Sequence, residues 1–156
     1  MNKIEFLKSG FINSVQHLNT NTMGSWGKMN AQQMVEHVTA FFKVSTGELQ
    51  FAIVTSTEHL HKYKEFLLND KEFRQNTKAP TEVIGEEAMP LRNETMEDAI
   101  AKLKKSIDKF FEYFSPDALK TTSHPVFGDL NFDEWVLLHY KHVLHHAKQF
   151  GYVTEA

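Results

Sequence analysis

The chain is expected to be all-α, a four-helix bundle with a long connection between its second and third helices. Three observations predict this. Apolar residues recur at three- and four-residue steps in four separate segments. No stretch alternates apolar and polar residues in the way a half-buried strand does. The length, 156 residues, suits one domain spanning 1–156, long enough to bury about two-thirds of the surface that the unfolded chain exposes.

The first helix carries Ile4, Leu7, Phe11, Val15 and Leu18 on one face. The stretch NTNTMGSWGKMN, from Asn19 to Asn30, breaks it with Gly24 and Gly27. Asn30 is placed to cap a second helix, with apolar Met34, Val38, Phe41, Phe42 and Val44, and Gly47 ends it. From about Glu48 to Asn93 the pattern is less regular. EFLLNDKEF suits a short helix, KAPTEVIGEEAMPL reads as a loop, and LQFAIVTST is a weak rival hairpin. A third helix starts near Glu94, carries Met96, Ile100, Leu103, Ile107, Phe110 and Phe114, and stops at Ser115–Pro116. The loop TTSHPVFGDLN leads to the last helix, roughly Phe132 to Phe150, closed by Gly151.

Composition narrows the function classes. Residues with hydrophobic side chains make up 41%, thirteen of them Phe, enough for a core. The net charge of −3 and the lack of any basic run beyond Lys104–Lys105 argue against nucleic acid as a partner. No apolar run approaches the roughly 18 residues that span a membrane. The start MNKIEFLKSGF has no apolar core of a signal peptide. A cytoplasmic protein is expected. The absence of cysteine excludes disulfides, thiolate ligands and a cysteine nucleophile.

Four of the nine histidines fall in HYKHVLHHAKQF, from His139 to Phe150. At 100° per residue, His139, His142, His146, Gln149 and Trp135 share an arc of about 120° with Phe132, Val143 and Phe150. Glu134, Lys141 and Lys148 lie opposite, and His145 sits at the edge, on the exposed side. The arc is therefore the buried face. A buried imidazole without a partner costs about 1–3 kcal/mol, so several together call for something that satisfies them. An i, i+4 pair such as His142 and His146 brings two ring nitrogens to one point, as in helical zinc sites. On the second helix His37 shares a face with Met34, Phe41 and Val44, while Glu36, like Asp133 on the last helix, looks outward. A lone histidine on an apolar face is more often a hydrogen-bonded core residue. The conjunction of His37 with the pair, in a chain without cysteine, favours a three-histidine metal site. His17, His59 and His61 read as surface residues, and so does His124, on its loop, although it is also a candidate for the mouth of the site.

These residues resemble the DinB/YfiT-like family of metal-dependent bundle proteins. There a histidine of the second helix joins two histidines four apart on the last helix, in a stretch reading HxxxHxxQ. HVLHHAKQ places His142, His146 and Gln149 at those positions, and WGKMNAQQMVEHV places His37 at the second-helix position. The tail from His124 to Gly151 looks more specifically like an uncharacterised branch of that family. Many members read Arg-Gly where this chain has Ala147–Lys148. The resemblance implies a divalent metal, zinc or nickel, and a homodimer. Some relatives transfer or isomerise with a low-molecular-weight thiol.

Three imidazoles leave a coordination position open, the pattern of a catalytic zinc site. The expected function is a small metal-dependent enzyme that activates a thiol or a water against a small-molecule substrate. His139, Gln149, His124 and Trp135 would line the pocket or support the ligands. The alternative is a non-catalytic bundle in which the cluster or its metal is structural and the protein is a binding module. No acid–base glutamate sits beside the ligands on the last helix, which favours the alternative slightly.

Overall fold

The computed structural model describes residues 2–75 and 88–153. Most of the loop expected over KAPTEVIGEEAMPL lies outside the described residues.

The expected bundle of four helices is overturned. Among the described residues there are five helices and a two-stranded antiparallel sheet. Helix α1 runs as Lys3–Glu5, a π turn Phe6–Gly10, and Phe11–Val15. Leu7, Phe11 and Val15 recur at strict four-residue steps, which drift around an α-helix; a π turn holds more residues per turn and keeps them on one face. Phe6 joins them on the buried side, and Ile4 is exposed. Helix α2 is Ala31–Ser45, α3 is Thr57–Leu68, α4 is Met96–Phe114 and α5 is Phe132–Gln149. Strands β1 (Thr122–His124) and β2 (Gly128–Leu130) pair Thr122 with Leu130 and His124 with Gly128.

Both discrepancies have physical causes. Helix α3 buries only Leu67, so its sequence carries little apolar periodicity to read, and EFLLNDKEF covers only its last turn and the extended segment after it. The strands are three residues each, too short for alternation to register. The rival hairpin at LQFAIVTST does not form. That segment instead runs beside the turn between β1 and β2, with Val54 N donating to Pro125 O at 2.7 Å and Thr55 Oγ1 to Val126 O at 2.7 Å.

The long helices start where their caps predict. Asn30 Oδ1 accepts from Gln33 N, and the Gln33 side chain accepts from Asn30 N, closing a reciprocal box at the start of α2. Asn131 and Glu134 repeat the device on α5. Helix α2 packs along α4, and Phe42, Phe110, Phe114 and Trp135 are fully buried among them. No described helix is long and apolar enough to cross a membrane.

Candidate metal centre

Helices α2 and α5 bring His37, His142 and His146 together. His142 Nε2 lies 3.0 Å from His37 Nε2 and 3.1 Å from His146 Nε2, and the three ligand atoms all lie within 4.8 Å of one another. His142 and His146 are buried, and His37 is half-buried. The rings meet edge to face, with centroids 4.6–5.0 Å apart.

The polar partners of His146 settle its tautomer. Gln149 Nε2 donates to Trp26 O at 2.8 Å, and a carbonyl can only accept. That fixes the amide orientation and turns Gln149 Oε1 toward His146 Nδ1, 2.7 Å away. An amide oxygen also only accepts, so Nδ1 carries a proton, and in the neutral tautomer that this selects, Nε2 presents the lone pair. His142 Nε2 therefore faces a nitrogen acceptor. Burial, reinforced by His146 and His37, holds the His142 pKa well below the ordinary histidine value, so its ring is neutral. Without an ion, one proton on His142 Nε2 must serve both neighbours. An ion held by three lone pairs at about 2.0–2.1 Å would separate the nitrogens by about 3.3 Å, a few tenths of an ångström more than the His37–His142 and His142–His146 separations. The donor set fits a divalent cation that takes imidazole. Among the described residues no carboxylate joins the cluster.

The remaining candidates occupy an adjoining layer. His139 is fully buried, stacked on Phe42 at 3.9 Å and near Trp135 at 5.3 Å. Its Nε2 lies 2.9 Å from Ser45 Oγ. Trp135 Nε1 donates to Thr122 Oγ1 at 2.7 Å, and Thr122 Oγ1 donates to Ser45 O at 2.7 Å. Phe41 bridges the two layers: its ring stacks on His142 at 4.0 Å and meets His124 at 5.3 Å.

Four exposures differ from the sequence reading. His124, read as a surface residue, is buried in β1; its Nδ1 accepts from Val126 N at 3.0 Å and Phe127 N at 3.2 Å. Those amides make Nδ1 an acceptor, and burial lowers the pKa of the ring to about 3. His145, placed on the exposed edge, is buried between Trp26 and Phe73. Lys141, on the polar arc, is buried and donates to Asn69 O at 2.7 Å and Lys71 O at 2.5 Å. Glu36, read as outward-facing, is buried and accepts from Arg92 N, Asn93 N, Asn93 Nδ2 and Gln32 Nε2. Burial raises its pKa, but those hydrogen bonds outweigh it and hold the carboxyl below its ordinary value. His17, His59 and His61 are exposed, as read from the sequence, and so is Asp133.

Sequence reasoning missed Trp26, whose carbonyl orients Gln149, and saw Gly24 and Gly27 only as helix breakers. A signal was present, two glycines flanking a tryptophan in a polar loop. It does not say what the loop packs on.

Comparison with curated proteins finds no match, and comparison with solved structures finds none either. A family model described as a protein of unknown function, DUF1569, matches residues 5–152, and the chain belongs to that family.

Proposed function

We propose that the protein binds one divalent cation, zinc or nickel, through Nε2 of His37, His142 and His146, and acts as a small metal-dependent enzyme. The observation that supports this most is the convergence of three ring nitrogens from two helices, one of them fixed as a lone pair. When bound, the ion supplies positive charge that lowers the pKa of a water or a thiol brought to it. The histidines hold it and leave a position open. His37 is half-buried, the most open of the three, and the Phe41 ring covers His142. The resemblance of His37, His142, His146 and Gln149 to the DinB-like pattern supports the finer reading. In that reading the co-substrate is a low-molecular-weight thiol, the substrate is a small molecule, and the protein is a cytoplasmic homodimer.

A second reading has an observation of its own. Glu36, the carboxylate next to His37 in sequence, spends both oxygens on Arg92, Asn93 and Gln32 and is not available as a base. In that reading the ion only pins α2 to α5, and the protein is a binding module.

Metal analysis of protein purified without a nickel column tests the binding, with about one ion per chain expected and none in His37→Ala. Adding a small thiol to the cobalt-loaded protein separates the two readings. A new thiolate-to-cobalt absorption band supports the enzyme, and an unchanged spectrum counts against thiol activation.

A further inference from the structure

The loop between α1 and α2 holds a second set of residues that bear on the cluster. Gln149, with 2% of its surface exposed, is packed by two glycines of that loop. A Cβ at Gly24 would stand 2.7 Å from Gln149 Cγ, 3.1 Å from Trp26 O and 3.2 Å from Gln149 O. A Cβ at Gly27 would stand 2.7 Å from Gln149 Nε2, and Gly27 has φ +80°, a conformation that side chains disfavour. The loop also takes a backbone hydrogen bond at the same place, Ser25 N donating to Gln149 O at 2.7 Å. The amide of Gln149 thus cannot swing away from His146 without displacing backbone.

We infer that Gln149 is a positioning residue for His146, and that Gly24 and Gly27 make the loop part of the ligand's support, so that metal affinity depends on a loop more than a hundred residues away in sequence from the histidine it orients. The reason is tautomeric. His146 binds through Nε2 only if Nδ1 holds the proton, and Gln149 Oε1 is the acceptor that keeps it there. A residue at 149 that cannot accept lets the proton move to Nε2 and lets the ring turn. A side chain at 27 pushes the amide off its line with Trp26 O.

This inference rests on the metal reading only for its effect on affinity, and its test has one arm without metal. In metal-free wild-type protein, nitrogen and carbon chemical shifts of the His146 ring are expected to report the Nδ1–H form; the Nε2–H form would overturn the inference even if zinc binds. Zinc affinity is then measured against a chromophoric chelator. Gln149→Leu and Gly27→Ala should each weaken it by about 10–100-fold. Gln149→Glu, which keeps an acceptor oxygen, should lose less than Gln149→Leu. Zinc affinity in Gln149→Leu equal to wild type, with His146→Ala abolishing binding, would overturn the positioning role and leave the metal site standing. A wild type that binds no zinc yet shows the Nδ1–H form would sink the metal reading and leave the tautomer lock intact. If Gln149→Leu does not fold, the wild-type shifts and the Gly27→Ala affinity decide the matter.

Discussion

His139 and the pair His142–His146 stand on one face of one helix, and all three are buried, yet they meet opposite surroundings. Ser45 Oγ donates to Phe42 O at 2.6 Å, so it accepts from His139, whose Nε2 must carry the proton. His139 is then flanked by Phe42 and Trp135 as another aromatic of the core would be. Two turns further on, Gln149 holds the proton of His146 on Nδ1, so that its Nε2 faces His142, 3.1 Å away, rather than a hydroxyl. Burial and helical face are the same in both places. What distinguishes a core histidine from a candidate ligand is the partner of its second nitrogen.

The largest effect that would break this comparison is on stability. His139→Ala removes a fully buried ring and the hydrogen bond that Ser45 Oγ accepts from it, and should cost about 3 kcal/mol in urea unfolding. Zinc binding should survive in the fraction that folds. Loss of zinc binding as complete as in His146→Ala would mean that the two layers are one site.

Metal removal sharpens the contrast from the other side. An ion bound only by the folded state adds about 2.7 kcal/mol at a hundredfold excess over Kd. A chelator should lower the melting temperature of wild type and of a folded His139 variant, and leave His146→Ala unmoved. Equal sensitivity in all three would count against a direct role for His146.

The three-histidine cluster was legible in the sequence because two helices with strong apolar periodicity carry it, and periodicity says which side faces the core. The same reasoning failed at Lys141, Glu36 and His145 for one reason. A helical wheel treats the polar arc as open to water. Here residues 69–71 after α3 cover Lys141, and residues 92–93 before α4 cover Glu36. Both covers belong to the long, irregular connection between α2 and α4, where the sequence had least to say. His124 was hidden by the shortness of its strand. The fifth helix was missed because α3 buries little and so leaves no pattern.

A smaller effect concerns acid. Burial depresses the pKa of His124 to about 3, and holds those of His139 and His142 well below the ordinary value, His139 with help from His124 and His142 with help from its neighbouring histidines. The folded state therefore favours neutral rings, and the unfolded chain takes protons first as pH drops below about 6.5. Stability from these neutral sites is present above that pH and is lost below it. Each group costs about 1.4 kcal/mol per pH unit until its folded pKa is reached. In metal-free protein, His124→Asn, whose amide oxygen can accept from the same turn, should flatten the decline of stability between pH 6.5 and 5 by one proton's worth. An unchanged slope would show that His124 is protonated in the fold.

The most direct measurement is X-ray absorption at the zinc edge, on wild type and on the His37→Ala and His139→Phe variants. Three imidazoles at about 2.0–2.1 Å are expected in wild type and in His139→Phe, and two in His37→Ala. A count of three that survives the loss of His37, or one that drops with His139, would contradict the three-histidine site.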